Sequence, residues 1–430
     1  MGATDGRSRL LLVIADTDSY LKWGASLAST RPPDWDARLV LVRNTAAPSA
    51  GQRAAALVET GFSPGDIREV DPAAVPRLVV QSGADAVLVS TRGRIAAVLM
   101  RQLNTLAVRP VLVSGIPGIA FPVARKALNN RAQGDLVIAH SKRERADYLR
   151  LVSVGGRDVR VGLSRLPFAI PGTITHGEDL VFAAQAIVPR SRDDRLRVAR
   201  LLRDAALADP SRRVVVKVRA LAGEKQTHDE ADGYAALLAE LGRSPANLVI
   251  VGGAMRDALG TAQGLVTVSS TAALEAVALG VPVIALDVFG VGKPLINKVF
   301  VGSGVFGDEA AVIGREFRHP DPAWLDENYF HPPDDDNWGS QLDELAALRD
   351  AGPLLRRPAP QRGGAVRRAW DRKRAFGTAD QTVTGALALA AGTPLRLIAL
   401  AYRRLRAGRK SVGVVSVAAA HAAPDDQGSL

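Results

Sequence analysis

The sequence predicts an α/β fold of two Rossmann-like domains facing each other across a cleft, with a basic, helical C-terminal extension. Three observations predict it. Short apolar runs alternate with stretches of helical spacing along most of the 430 residues, the signature of strands and helices wound into parallel sheets. Ala, Val, Leu and Gly dominate while aromatic residues make up only 5%, and small side chains let helices lie close on a buried sheet. The chain is also too long for one compact core, which points to two domains and an appendage. A hydrophobic share of 47% excludes a disordered chain.

Leu10–Ala15 is the first strand. Its apolar stretch behind Arg7 and Arg9 is too short for a signal-peptide core and runs directly into Asp16 and Asp18. Arg38–Val42, Ala86–Ser90, Pro110–Ser114 and Leu136–His140 read as further buried strands, and Arg53–Thr60 and Arg94–Leu106 as helices. These make a first domain over residues 1–170. Pro167 and Pro171-Gly172 form the hinge. The second domain, 171–345, has strands at Asp179–Ala184, Arg213–Val218, Asn247–Val251, Leu265–Val268 and Val281–Leu286. Its helices are Arg192–Leu207, His228–Leu241 and Ala272–Leu279. From Ala310 the pattern weakens around His319-Pro320-Asp321-Pro322 and His331-Pro332-Pro333, before a helical stretch at Gly339–Arg349. Residues 353–380 are rich in Pro, Arg and Gly, and a basic helical segment follows over Gln381–Arg409. Residues 346–410 therefore read as a basic linker and extension, and 411–430 as a disordered tail.

A net charge of +11 calls for anionic partners. The absence of cysteine excludes disulfides, thiolate metal sites and a cysteine nucleophile, and fits a reducing cytoplasm. No stretch approaches the roughly 20 apolar residues that span a bilayer. A dinucleotide fingerprint is missing. Gly290-Val291-Gly292-Lys293-Pro294 lacks the upstream glycine and following hydroxyl of a P-loop, which argues against a nucleotide triphosphatase. His319, His331 and Asp334–Asp336 lack metal-site spacing, so neither a metal nor a cofactor is expected. Interleaved aromatics and a recognition helix are also missing, which makes nucleic acid a poor partner.

The most informative segment runs from Val266 to Ala285. A strand leads into Ser269, Ser270 and Thr271, and a helix opens at once, placing hydroxyls and backbone N–H groups where a phosphate would bind. Glu275 follows one turn later, within reach of a ribose. The plain alternative is that these hydroxyls only cap the helix. A second strand, Val214 to Arg219, ends in Lys217 and Arg219, with His228 beyond. In the first domain, Asp16 and Asp18 follow strand one as a base or as caps. Lys22, the loop glycines Gly115 and Gly118, and His140-Ser141 after a later strand are cleft candidates, although Trp23 and a strand-end histidine often serve the core.

The Val266–Ala285 string resembles the nucleotide-sugar half of GT-B glycosyltransferases, where a Leu-Glu-Ala, Gly, Pro-Val-Ile pattern recurs. It is also similar to capsule-polysaccharide and sialyltransferase-type enzymes, in which a Ser-Ser/Thr pair holds the donor phosphate. Ala15–Trp23, Ser114–Ile119, His140–Glu144 and the Lys217–His228 segment look like a bacterial family named as glycosyltransferases from its fold, from the first strand to about Asp308. The resemblance implies a nucleotide-sugar donor on the second domain, held by Lys217, Arg219, His228, Ser269, Ser270, Thr271 and Glu275. Related families carry a His-Pro element after the lysine strand, which this chain lacks, so Arg219 or His228 would stand in. The acceptor, a cell-surface glycan or a lipid-linked molecule, would lie on the first domain near Lys22, Gly115, Gly118, His140 and Ser141. Asp16 or Asp18 would remove the proton from its hydroxyl, and cations would carry the leaving phosphate's charge without a metal. The hydroxyl triplet leans towards a CMP-sugar. Glu275 leans towards UDP or GDP, but its usual acidic partner upstream is Thr267 here. The Gln381–Arg409 helix, with Leu395, Ile398 and Leu405 beside Arg396, Arg403 and Arg406, either lies on an anionic membrane or packs back on the protein. Two alternatives stand beside this reading: a nucleotide-sugar 2-epimerase of the same architecture, and a non-catalytic nucleotide or nucleic-acid binding protein.

Overall fold

The computed structural model describes residues 8–169, 171–172, 174, 177–218, 232–359 and 363–393. The chain divides into two compact units, 1–361 and 362–430.

The larger unit holds two all-parallel sheets. The first contains β1 (Arg9–Ala15), β2 (Trp35–Val42), β3 (Ile67–Val70), β4 (Ala86–Ser90), β5 (Val111–Gly115), β6 (Leu136–Ala139) and β7 (Arg160–Leu163), in the order β3-β2-β1-β4-β5-β6-β7. The second contains β8 (Asp179–Ala183), β9 (Val214–Lys217), β10 (Leu248–Val251), β11 (Ala262–Thr267), β12 (Val283–Leu286) and β13 (Phe306–Gly307), in the order β10-β9-β8-β11-β12-β13. Both orders reverse once, between β1 and β4 and between β8 and β11. Such a reversal opens a crevice beyond the carboxyl ends of the strands, because successive crossovers leave to opposite sides.

Central strands such as Leu11–Ala15 and Val111–Val113 are buried on both faces, which explains their unbroken apolar runs. All ten strands expected from the sequence are present. β3, β7 and β13 were not expected, and each lies at a sheet edge. β3 reads Ile-Arg-Glu-Val with its two central residues exposed, so it lacks the run that marks a central strand.

The helix Trp338–Ala351 returns to the first sheet: Trp338, Leu342, Leu345 and Ala346 join the core of β1, β5 and β6. Beyond it, Arg357 pairs with the buried Asp135, which also takes Arg109 at 2.7 Å. The 171–345 boundary expected from the sequence puts most of this helix in the second domain, because nothing in its own pattern names the sheet it covers.

In the smaller unit, the helix Ala365–Phe376 lies within residues expected to be a linker. Its Trp370 ring sits between Arg367 and Arg374, at 4.7 and 4.5 Å from the guanidinium carbons, and packs with Ala369 and Ala388. Backbone over 383–393 is helical. Residues 394–409 of the Gln381–Arg409 segment and the 411–430 tail lie outside the described residues.

Candidate functional site at the interdomain groove

Loops from the carboxyl ends of both sheets meet. Lys22, in the helix Asp18–Ser29 after β1, reaches Glu275, in the helix Ala272–Ala278 after β11, at 3.1 Å. Gly118, in the loop after β5, abuts Thr271: a Cβ at Gly118 would stand 2.3 Å from the Thr271 Cγ2, and its φ of +78° is one only glycine adopts freely. Lys22 also lies 4.6 Å from the centroid of the Phe168 ring, and Phe168 packs against the cores of both sheets. On the flank of the groove, Lys142 bonds Asp326 at 2.8 Å and Asp335 at 2.9 Å, and the Tyr329 hydroxyl donates to the buried Glu144 at 2.5 Å. Two residues expected on the acceptor side therefore touch two expected on the donor side.

At the β8/β11 switch point the closing groups are neutral. Gln185, just after β8, accepts from the Ser269 N–H at 3.0 Å and donates to the Ser269 hydroxyl at 3.3 Å. The Thr267 hydroxyl accepts from the Ser270 N–H at 3.1 Å, and the Ser270 hydroxyl from the Ala272 N–H at 3.2 Å. This corrects the expectation of open amides: the turn's own hydroxyls take two of these three and Gln185 takes the other, and the helix that follows is only seven residues long. Ser269 is buried and spent on Gln185. Ser270 and Thr271 remain half-buried. The Ser270 Oγ accepts a bond and keeps its own proton to give, while the Thr271 hydroxyl makes no cap.

The β1/β4 switch point is closed by charge. Asp16, fully buried, takes the Arg92 Nε at 2.6 Å and the Arg92 N–H at 3.1 Å, while Asn44 bonds both the Asp16 carbonyl and the Arg92 guanidinium. Burial raises the Asp16 pKa, opposed by Arg92. Asp16 therefore ties two loops together and presents no free carboxylate to a substrate, contrary to the role of base. Asp18 lies half-buried in the first turn of its helix, and the N-cap is Thr17, whose hydroxyl makes no cap bond.

Four other expected site residues have structural work instead. His140 is buried. Its Nε2 accepts from the Trp23 indole at 2.6 Å, and its Nδ1–H faces the Ser164 carbonyl at 2.9 Å. Both nitrogens are used, and desolvation lowers its pKa to about 4, so it stays neutral. Ser141 caps the helix Lys142–Val154 through the Glu144 N–H. Gly115 makes room for Trp23, whose ring would stand 2.6 Å from a Cβ there. Lys217 is buried and donates to the Val218 carbonyl at 2.7 Å. Arg219 and His228 lie outside the described residues. Sequence reading missed Gln185 and Arg92. Only the strand order, which sets β8 beside β11 and β1 beside β4, marks them.

The profile of a family described as "Putative glycosyltransferase (DUF6716)" matches residues 11–345, well over half of the chain. No curated protein matches the sequence significantly. Among solved structures, the UDP co-structure of MnaA from S. aureus is similar over 78% of this chain and 95% of its own, at 11% identity and a TM-score of 0.52. A structure described as a putative UDP-N-acetylglucosamine 2-epimerase from Listeria monocytogenes is similar over 83% of this chain and 99% of its own, at 13% identity and a TM-score of 0.51. At such identities the likeness is one of fold.

Proposed function

The chain belongs to this glycosyltransferase family, and on that premise we propose that it transfers a sugar from a nucleotide-sugar donor to a cell-surface glycan or lipid-linked acceptor, without a bound metal. The observation that supports the reading is the meeting of Lys22 with Glu275 and of Gly118 with Thr271, contacts between the two sheets' loops beside the Ser270-Thr271 hydroxyls. In this reading Ser270 and Thr271 donate to the departing phosphate, where fixed donors act on developing charge. Glu275 takes the ribose hydroxyls after leaving Lys22, and the freed ammonium turns to the phosphate. Asp18, on the opposite wall, takes the acceptor's proton.

The smaller unit supports an acceptor at a membrane surface. Its helix Ala365–Phe376 carries Arg367, Arg368, Arg372, Lys373 and Arg374, and Val366, Val383 and Leu387 are exposed, a composition suited to an anionic bilayer. Among the described residues no helix is long and apolar enough to cross a membrane. Sedimentation with anionic but not neutral vesicles checks this part.

The 2-epimerase reading draws on the neighbours' fold, but His140, the histidine that follows a strand towards the groove, is locked between Trp23 and Ser164. Thermal unfolding with UDP, CMP, GDP and single-stranded RNA tests the nucleotide site. One nucleotide stabilises the protein saturably, by about 2.7 kcal/mol at a hundred times its Kd. Salt-sensitive stabilisation by RNA alone contradicts the proposal, and conversion of UDP-N-acetylglucosamine without an acceptor favours the epimerase.

A further inference from the structure

A cavity of about 360 Å3 opens on the flank of the first sheet, beside β2. Its origin is a mismatch in strand length. β2 spans Trp35–Val42, but pairing with β3 begins only at Leu39↔Ile67. The first half of β2 therefore has β1 on one side and no strand on the other. Gly61 and Phe62 border the gap, as do Leu78 and Ser82 of the helix Val75–Ser82.

Both faces of the β2 edge border the opening, Ala37 and Leu39 included, and the register shows which lining residues share a face. Leu12 pairs with Arg38, and Val40 with Arg68. Paired residues and residues two apart share a face, so Leu12, Arg38, Val40 and Arg68 lie together, and all four line the cavity. Two guanidiniums thus stand over an apolar floor. Neither Arg38 nor Arg68 has a hydrogen-bond or ion-pair partner among the described residues. Other arginines of the same edge differ: Arg43 bonds Asp71 at 3.1 Å, and Arg53 bonds Glu69 at 2.5 Å. Asp66, also on the wall, accepts through one oxygen, Oδ2, from the Ser63 N–H at 2.7 Å and the Ser63 hydroxyl at 2.9 Å, bonds that lower its pKa and keep it ionised. Two cations against one carboxylate leave the cavity net positive.

We propose that this cavity binds a small organic anion, a phosphomonoester with an apolar body, separately from the nucleotide groove. Paired guanidiniums match phosphate oxygens in geometry and charge, while Leu12, Val40, Phe62 and Leu78 accept the hydrocarbon part. The volume falls in the range of ligand sites, roughly 300–1,000 Å3. The site does not depend on the donor assignment. It lies beside the early residues of β2, whereas the groove residues follow the carboxyl ends of the strands.

Calorimetric titration of phenyl phosphate into the full chain at low salt tests it, with inorganic phosphate and phenol as comparison probes. Phenyl phosphate binds saturably with one site, and phosphate or phenol alone binds at least roughly tenfold more weakly. Arg38→Ala/Arg68→Ala, at two exposed positions, weakens phenyl phosphate at least roughly tenfold. Ser82→Trp, which fills the cavity and keeps both arginines, does the same. Ser270→Ala/Thr271→Ala leaves the binding unchanged, which separates this site from the groove. Equal binding by wild type and Arg38→Ala/Arg68→Ala assigns the anion to basic side chains elsewhere and overturns the proposal. So does wild type that fails to bind.

Discussion

At the switch point of the first sheet, Asp16 and Arg92 close the crevice with an ion pair. At that of the second, Gln185 and Ser269 close it with an amide and a hydroxyl. The topology is shared and the chemistry is opposite. A buried carboxylate held by a guanidinium gives up its partner only at a large desolvation cost. On the proposed reading, a turn of neutral groups carrying the half-buried Ser270 and Thr271 hydroxyls takes an anion without stranding a charge. The first switch point thus holds loops in place, and the second is free to exchange partners.

The largest expected effect breaks the first of these. Asp16→Ala leaves Arg92 and its N–H without their acceptor and lowers stability by about 3 kcal/mol, read from urea denaturation. Asp16→Asn keeps part of the bonding and costs less. A similar loss follows acid at His140, whose pKa lies near 4 instead of 6.5. The unfolded chain then binds the proton and the folded one does not, so stability falls as pH drops from 6.5 towards 4. Its size is about 3 kcal/mol. His140→Gln flattens that part of the profile if both ring nitrogens are used as described.

Gly118→Ala drives a methyl into Thr271 and strains a left-handed residue, costing about 2 kcal/mol. Adding Thr271→Ser removes the Cγ2 and returns about half of that. No recovery would mean that the two loops do not touch. The smallest effect belongs to Lys22→Ala. Its ion pair with Glu275 is partly exposed, and its loss changes stability by less than about 1 kcal/mol, while salt dependence of unfolding weakens slightly.

The contrast between these regions also explains what the sequence could and could not convey. Central strands were legible because burial on both faces demands an apolar run, as in Leu10–Ala15. The edge strands β3 and β7 were not, because one open side lets Arg68, Glu69 and Arg160 into them. The hydroxyl triplet was legible as a turn between strand and helix. Its division of labour was not, since Ser269 becomes structural only because β8 lies beside β11 and brings Gln185 with it. His140 and Lys217 misled for the same reason: residue type and strand-end position match a site, and burial decides otherwise. The Ala365–Phe376 helix was hidden among prolines and glycines that flank it without entering it.

Calorimetric titration of UDP into wild type, Ser270→Ala/Thr271→Ala and Asn44→Ala tests the assignment of the nucleotide to the second switch point. Loss of the two hydroxyls weakens binding roughly ten- to a hundredfold, as expected for hydrogen bonds to a charged phosphate, and Asn44→Ala leaves it unchanged. Affinity that survives in the double variant and falls in Asn44→Ala would place the nucleotide at the first sheet and contradict the account.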